Sequence, residues 1–308
     1  MERLHPVGGN MTIRIANAPV SWAIYEFSEI EQKYTYARVL DEIAETGYTG
    51  TELGPWGFLP TDPDRLRPEL EKRGLSMVSA FVPVWFLDAS AHEAGEQHAL
   101  QVGRLLAALG CKVIILADDN GKVPELVAQA GQRHGSWLSS DQWDVFAAGV
   151  NRVARKVYDE CGLKTAFHHH CAGHVETPEE IRNLMERTDA NIVGLCLDTG
   201  HWEFGGGDSV EAVKEYGARI NHLHFKDCDP NIHQLCKDEK LKYFEAVQAG
   251  IFPELGQGSV NFPDVVAEMK RLDYDGWGTV EQDVLTEDLD APRHSARRNR
   301  EYLRKLGL

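Results

Sequence analysis

The chain has 308 residues, 43% of them hydrophobic, and a formal net charge of −16 at pH 7. That charge would repel a phosphate backbone, which excludes nucleic acid as a partner. No apolar run is long enough to cross a bilayer, and the six cysteines show no C-x-x-C spacing. We therefore expect a cytoplasmic protein with reduced thiols and no membrane partner.

Eight short apolar runs rich in β-branched residues recur along the chain, separated by amphipathic segments with helical spacing. The predicted strands are Thr12–Ala18, Gly50–Leu53, Ser76–Val82, Lys112–Ala117, Lys164–His168, Ile192–Leu197, Ile220–Phe225 and Gly278–Glu281. Strands that alternate with helices form parallel β/α units, and eight units close a barrel. We predict an α/β protein, a single (β/α)8 TIM barrel over residues 12–308, after an N-terminal extension of residues 1–11. A doubly wound sheet would carry an early glycine-rich phosphate turn, which the chain lacks.

Several segments between the strands carry helix signals. Thr177 is placed to cap a helix whose first turn holds Pro178, and Gly162 ends another. The final "SARRNREYLRKLGL" is typical of a basic helix. Two connections are long, one from Asp118 to about Ser140 and one from Cys228 to about Gly258, and the second includes a predicted inserted helix, "DEKLKYFEAVQAG". Extended loops after strands four and seven would lie over the barrel mouth as a lid or partner surface.

Titratable residues concentrate at the C-terminal ends of the predicted strands, where the active site of this fold lies. They are Glu52 on strand two, His168, His169 and His170 on strand five, Asp198 and His201 after strand six, His222, His224, Lys226 and Asp227 on strand seven, and Glu281 and Asp283 on strand eight. A set of nitrogen and oxygen ligands suits Mn, Co, Zn or Mg, and a mixed set favours Mn or Co. The pattern predicts one divalent metal ion at the mouth.

The histidine run contains residues of different orientation. Alternate strand side chains share a face, so His168 and His170 point one way and His169 the other. If His168 completes a metal shell, His170 lies nearer the rim, free to act as a base. The competing interpretation is a polar strand end whose imidazoles bond to backbone carbonyls. On strand seven, His224 is a better ligand than the deeper His222.

Other candidates have a functional and an ordinary interpretation. Asp198 is a ligand or a turn former. Glu52 contacts substrate or pairs with a neighbouring cation, and Lys226 holds a substrate oxygen or neutralises an acidic site. Glu176 and Glu203 are expected on the solvated surface. Three tryptophans at the ends of strands one to three are core packing or an apolar wall for a ring-shaped substrate: Trp22, Trp56 and Trp85.

Several motifs together carry a family resemblance. They are "NAPVSWA", "GTELGPWGFLP", "FHHHCAGHVET", "LDTGHW", "HLHFKD", "LGQGSVNFP", "VEQD" and "SARRNREYL", in this order from about Ile13 to Leu308. The chain resembles the inosose dehydratases, which belong to the xylose-isomerase-like and endonuclease-IV-like group of TIM barrels.

The resemblance implies a set of metal ligands. Asp198, His224 and Glu281 match the group's ligands on strands six, seven and eight. The group's strand-five glutamate is replaced by a histidine, which we align at His168, although a shift to His170 stays open.

The resemblance also implies a reaction, the loss of water from a keto-inositol such as scyllo-inosose. His170 matches a base found two residues after the strand-five ligand in related keto-acid dehydratases, and His201 matches a pocket histidine. A proton alpha to the ketone would be removed, with a divalent ion stabilising the enediolate, and the beta hydroxyl would leave. We expect His170 to be the base, His201 or Lys226 to protonate the departing hydroxyl, and Glu52 to fix a ring hydroxyl.

Three other functions would use the same constellation. A ketose isomerase or epimerase also forms an enediolate, but those branches usually keep glutamates on strands five and eight. Elimination from a 3-keto sugar, including C-glycoside cleavage, would be accompanied by a small partner subunit docked on the long loops. A non-enzymatic sugar-binding barrel would leave the metal ligands without a purpose, and a homo-oligomer is compatible with every case.

A repair nuclease is excluded, because strands two to four end in Glu52, Pro83 and Asp118 rather than in extra histidines.

Overall fold

Nine parallel strands form one curled sheet in the computed structural model, which describes residues 13–24, 34–119, 121–283 and 288–308. The strands are β1 Arg14–Asn17, β2 Gly50–Thr51, β3 Ser76–Met77, β4 Phe81–Val84, β5 Val113–Asp118, β6 Lys164–His168, β7 Val193–Asp198, β8 Ile220–Phe225 and β9 Trp277–Val280. Their order in the sheet is β3-β2-β1-β9-β8-β7-β6-β5-β4. The predicted TIM-barrel fold is confirmed. The predicted extension of residues 1–11 and Thr12 lie outside the described residues.

The predicted third strand, Ser76–Val82, is two strands, and this difference closes the barrel. β3 pairs with β2 at one edge of the sheet, and β4 pairs with β5 at the other. Between them, the Ser79 carbonyl accepts a hydrogen bond from the Leu53 N–H (3.0 Å), and the Ala80 carbonyl accepts one from the Ile115 N–H (3.0 Å). The bent segment therefore joins both edges, and the nine observed strands correspond to eight β/α units.

Twelve helices lie between or after the strands in the described residues. They are α1 Tyr36–Glu45, α2 Pro63–Glu71, α3 His92–Ala108, α4 Pro124–Ala128, α5 Ser140–Cys161, α6 Pro178–Arg187, α7 Thr199–Phe204, α8 Ser209–Tyr216, α9 Pro230–Glu239, α10 Tyr243–Ala249, α11 Phe262–Arg271 and α12 Ala291–Lys305, with 3-10 turns at Pro19–Trp22 and Gly217–Arg219. The predicted ends of two helices are confirmed. Thr177 caps α6 and forms a reciprocal capping box with Glu180, and Gly162 ends α5 in the left-handed conformation (φ 69°).

The two long connections meet over the barrel mouth and form what we call the cap, residues 124–137 and 229–252. The second connection contains two helices, α9 and α10, where one was predicted. The Gln132 side-chain amide donates to the Leu241 carbonyl (3.0 Å), and His233 Nε2 lies 2.8 Å from the Gly131 carbonyl oxygen. The cap shares a buried apolar cluster with α7, separate from the main core, which includes Tyr243 and Phe252 of the cap and Phe204 of α7. The long loops are therefore one packed layer.

The remaining predictions about the chain as a whole concern its cysteines and helices. All six cysteines are free thiols, in agreement with the sequence. Within the described ranges, the helices are too short or too polar for any of them to span a membrane.

Candidate active site at the barrel mouth

Four side chains at the C-terminal ends of adjacent strands each bring one donor atom within 4.8 Å of the others: His168 on β6, Asp198 on β7, His224 on β8 and Glu281 just after β9. His168 Nε2 lies 3.4 Å from Asp198 Oδ2. His224 Nδ1 lies 3.7 Å from that oxygen and 3.2 Å from Glu281 Oε2. These are the four ligands that the sequence predicts, and the structure brings them together.

Their spacing fits a single ion. Donors about 2.1 Å from one metal lie about 3.4 Å apart at the corners of a tetrahedron, and the three measured separations are 3.2, 3.4 and 3.7 Å. Three atoms of this group, His168 Nε2, Asp198 Oδ2 and His224 Nδ1, are buried without a hydrogen-bond partner among the residues that the structure describes. Buried polar atoms normally have partners, so these converging atoms indicate a ligand of their own.

Asp198 uses its two oxygens for different purposes. Oδ1 accepts a hydrogen bond from the His201 N–H (2.9 Å) and caps α7, while Oδ2 faces the donor group. Both interpretations of Asp198, turn former and ligand, therefore apply. The helix cap holds the carboxylate in the orientation that a ligand needs.

The site has an excess of negative charge. Four carboxylates, those of Glu52, Asp198, Glu281 and Asp283, surround the ammonium of Lys226 and the ring of His224. Burial opposes the charge on Lys226, but the carboxylates outweigh it and hold the pKa of this lysine well above its usual range. Burial likewise opposes ionisation of Glu281, but His224 and Lys226 lower its pKa to about 2. The pocket thus favours added positive charge.

Cys196 offers a competing ligand. Its sulfur atom lies within 4.8 Å of a ring nitrogen of His168 and of a ring nitrogen of His224. Burial raises the pKa of this thiol to about 12. The group that contains Cys196 has three donors, whereas the group that contains Asp198 and Glu281 has four, which favours the carboxylates over Cys196.

His170 lies just beyond β6, in the loop that follows His168. Its Nδ1 is 2.6 Å from the Cys171 carbonyl oxygen, and its Nε2 is 3.4 Å from the Tyr243 hydroxyl. Burial and the charges of His168 and Lys226 lower the pKa of His170 to about 3. A carbonyl can only accept, so the proton of the neutral ring is on Nδ1, and Nε2 carries the lone pair.

His201 packs against His170, and Lys226 lies next to His201. The His170 and His201 rings are 4.0 Å apart between centroids. The Cys171 N–H donates to His201 Nδ1 (3.3 Å), and His201 Nε2 lies 3.3 Å from Lys226 Nζ. His169, in contrast, accepts a hydrogen bond from the Asp198 N–H (3.2 Å), which agrees with the predicted alternation of faces.

Glu52 lies after β2 and is 2% exposed. Its Oε1 is 2.9 Å from His222 Nε2 and 3.0 Å from His224 Nε2. Burial opposes its ionisation, but the charge of His224 and hydrogen bonds from both imidazoles hold the pKa of Glu52 well below its usual range. Glu52 therefore contacts the predicted ligand His224. Its expected contact with a substrate hydroxyl stays a prediction.

The three tryptophans occupy different environments. Trp22 is 0% exposed, and its indole N–H donates to Glu42 Oε2 of α1 (2.6 Å). Trp56 and Trp85 are half-buried, and the Trp85 ring packs edge-on against His174, 6.0 Å between centroids. Trp22 thus shows the packing role that was the alternative for all three, while a substrate wall at Trp56 and Trp85 stays a prediction.

Sequence reasoning predicted that the long connections lie over the mouth, but it did not identify the cap residues that contact the site. Besides the contact of Tyr243 with His170, the Phe252 ring lies 4.9 Å from the His201 ring and 5.0 Å from Lys226 Nζ. No motif marks Tyr243 or Phe252, because their proximity to the mouth depends on how α9 and α10 fold back. The only available signal was the length of the connection.

The expectation that Glu176 is solvated is wrong. Glu176 is 1% exposed and accepts hydrogen bonds from the Gly131 N–H (2.8 Å) and the Ala172 N–H (2.9 Å). Arg133 lies 3.5 Å from Glu176 and 3.1 Å from Glu180. The acid is buried because it ties the cap to the loop behind His170. Glu203 is half-buried and accepts from the Ser209 N–H (3.1 Å).

Two solved structures that are similar to this chain have the same fold. A probable 3-DHS dehydratase, AsbF, of Bacillus anthracis, involved in petrobactin synthesis, superposes with a TM-score of 0.69 at 15% identity, over 95% of this chain and 99% of its own. The IOLI protein, solved with a bound zinc atom, superposes with a TM-score of 0.70 at 13% identity, over 96% and 98% of the two chains.

Sequence comparison gives the family. Residues 40–306 match the model of the xylose isomerase-like TIM barrel family. An inosose dehydratase of Geobacillus kaustophilus (strain HTA426) is 35% identical over 269 residues, covering 87% of this chain and 86% of the relative. The chain therefore belongs to the xylose isomerase-like TIM barrels and, within them, to the inosose dehydratase family.

Proposed function

We propose that this protein is a metal-dependent hydro-lyase that removes water from a keto-inositol such as scyllo-inosose. The observation that carries the proposal is the convergence of a mixed nitrogen and oxygen donor group with two further imidazoles. The rings of His170 and His201 each lie 5.6 Å from the His168 ring, between centroids. The relatives named inosose dehydratase supply the substrate class.

The proposed metal site consists of His168, Asp198, His224 and Glu281. Its mixed donors favour Mn or Co, while Zn and Mg also accept such ligands; the IOLI neighbour holds zinc. A bound divalent ion would supply Lewis-acid polarisation of the ketone oxygen, contributing several kcal/mol where negative charge develops.

His170 is the proposed base. Its Nδ1–H is engaged by the Cys171 carbonyl, so the lone pair on Nε2 is available to take the proton alpha to the ketone. The electrons of that C–H bond move into the new carbon–carbon double bond as the beta hydroxyl departs. The Tyr243 hydroxyl, 3.4 Å from Nε2, donates to the lone pair until substrate takes its place.

Lys226 is the proposed acid. Its ammonium lies 3.3 Å from His201 Nε2 and can pass a proton to the departing hydroxyl, which leaves as water. Lys226 lies 3.1 to 3.4 Å from three carboxylates, so its ammonium is held in place to bind a substrate oxygen. His170 has then gained one proton and Lys226 has lost one. The proton can return from His170 to Lys226 by way of His201, whose ring lies 4.0 Å from the His170 ring and whose Nε2 lies 3.3 Å from Lys226 Nζ.

Substrate binding completes the proposal. A cyclic polyol presents an apolar face and a rim of hydroxyls, which matches an indole wall with polar groups around it. We assign the wall to Trp56 and Trp85, with Trp22 behind it, and a ring-hydroxyl contact to the second oxygen of Glu52.

The test is direct observation of the product. Protein stripped of metal and reloaded with Mn²⁺ or Co²⁺ is incubated with scyllo-inosose, and the ultraviolet absorbance of an unsaturated diketone is followed. We expect the absorbance to rise only in the reloaded sample. Consumption of substrate without a chromophore would identify an isomerase or epimerase, and no consumption with any of Mn²⁺, Co²⁺, Zn²⁺ or Mg²⁺ would refute the proposal.

A further inference from the structure

We propose that Glu52 is a positioning residue of the metal site, which holds His224 in the tautomer and orientation that direct Nδ1 to the ion. This inference rests on the metal site of the proposed function, but not on its substrate or reaction. It assigns to Oε1 of Glu52 a role separate from any contact with a substrate hydroxyl.

The first step is the direction of the hydrogen bond. Glu52 Oε1 lies 3.0 Å from His224 Nε2, and both residues are buried. An ionised carboxylate can only accept, so Nε2 of His224 is the donor. A neutral imidazole that donates from Nε2 has its lone pair on Nδ1.

The second step is where that lone pair points. His224 Nδ1 is 3.2 Å from Glu281 Oε2 and 3.7 Å from Asp198 Oδ2, inside the donor group. It has no hydrogen-bond partner among the described residues. Glu52 and the proposed ion therefore lie at opposite nitrogens of one ring. A carboxylate on the second nitrogen of a metal-binding histidine fixes the ring and raises its basicity as a ligand.

The third step is what holds Glu52. His222 Nε2 lies 2.9 Å from the same Oε1 and 3.1 Å from Thr279 Oγ1 of β9. His222 and His224 share a face of β8, so both rings reach the carboxylate from one side. Glu52 thus connects β2, in the first half of the chain, with the strands of the second half that carry the four proposed ligands. This role explains a buried acid on a strand that supplies no ligand.

A competing arrangement exists and is an outcome of the test. Glu52, His222 and His224 themselves form a group with donor atoms within 4.8 Å of one another. An ion bound there would coordinate His224 through Nε2. The two arrangements therefore place the metal on different nitrogens of the same ring.

The test compares metal affinity in Glu52→Gln with that in Glu42→Gln. Glu42 is also a buried carboxylate with two hydrogen-bond donors, Trp22 Nε1 (2.6 Å) and Arg38 Nε (2.8 Å), but it lies on α1, away from the ligands. Zn²⁺ and Co²⁺ dissociation constants are measured by chelator competition in the full-length proteins, with the melting temperatures of the metal-free forms. We expect Glu52→Gln to weaken metal binding by about 10–100-fold and Glu42→Gln to leave it unchanged.

A second measurement uses the unmodified protein and does not depend on the folding of a variant. In ¹⁵N-histidine NMR of the Zn²⁺-loaded protein, we expect His224 to keep its proton on Nε2 and to show a metal-bound Nδ1. Zinc on Nε2 of His224, or Glu52→Gln affinity within about threefold of the wild type, would overturn the inference while leaving the dehydratase proposal standing. Failure of the wild type to bind any divalent ion would overturn both.

Discussion

The substitution His170→Asn tests the proposed base without changing the proposed metal ligands. The amide nitrogen of asparagine lies close to the position of Nδ1, so it can keep the hydrogen bond to the Cys171 carbonyl, now 2.6 Å long. It has no counterpart of Nε2 and its lone pair. The change therefore removes the proton acceptor and preserves the loop that presents it.

The expected magnitude follows from the role. A positioned general base contributes about 10²–10⁴-fold, so kcat should fall by that factor, which is about 3–5 kcal/mol in the activation barrier. Metal content should stay at the wild-type level, because neither nitrogen of His170 belongs to the four-residue donor group. Exchange of the substrate's alpha hydrogen with solvent deuterium should be lost to the same extent as turnover.

Initial rates at saturating scyllo-inosose, deuterium exchange by NMR and metal content by mass spectrometry test these expectations together. His233→Gln is the matched control, since His233 is a histidine of the cap whose Nε2 also faces a backbone carbonyl, at 2.8 Å. We expect it to retain wild-type kcat. A His170→Asn protein with full metal content and kcat within threefold of the wild type would refute the assignment of the base.

Three further substitutions test other parts of the site. Asp198→Ala should lose both bound metal and turnover, because Oδ2 lies in the donor group and Oδ1 caps α7; metal analysis and initial rates check this. Arg133→Met should lower the free energy of unfolding by about 3–5 kcal/mol, since it leaves buried carboxylates unpaired; in urea titrations, the exposed Lys214→Met should match the wild type. Tyr243→Phe should lower kcat without changing metal content, and an unchanged kcat would exclude a role for the hydroxyl at His170.

Part of the candidate site follows from strand periodicity, and the ligand set follows from the family resemblance. The alternation of faces separates His168 from His169, and it ranks His224 above His222 because side chains two residues apart reach different depths of the barrel. Both inferences use only the alternation of side chains along one strand. Asp198 and His224 are paired across β7 and β8, so the predicted bounds of these two strands are correct to within about one residue. Strand boundaries shifted by one residue did not alter which side chains face the mouth.

The predictions that failed depend on contacts between distant parts of the chain. Glu176 has the sequence context of a surface acid, and only Arg133, delivered by the long connection after β5, makes its burial tolerable. Likewise, Ser76–Val82 has the pattern of one strand, and it divides because it must pair with different neighbours at its two ends. The position of Tyr243, for which the sequence makes no prediction, likewise depends on the packing of the cap.

The capping of α7 by Asp198 has a consequence for catalytic precision. The same carboxylate ends a strand, starts a helix and faces the proposed ion, and His201 follows it after a single turn. The separation between the proposed ion and His201, the proposed proton relay, is therefore set by covalent geometry and one hydrogen bond of 2.9 Å, not by the docking of distant segments. Thermal movement of the cap would change how a ligand enters and leaves the site. It would not change the position of His201 relative to the proposed ion.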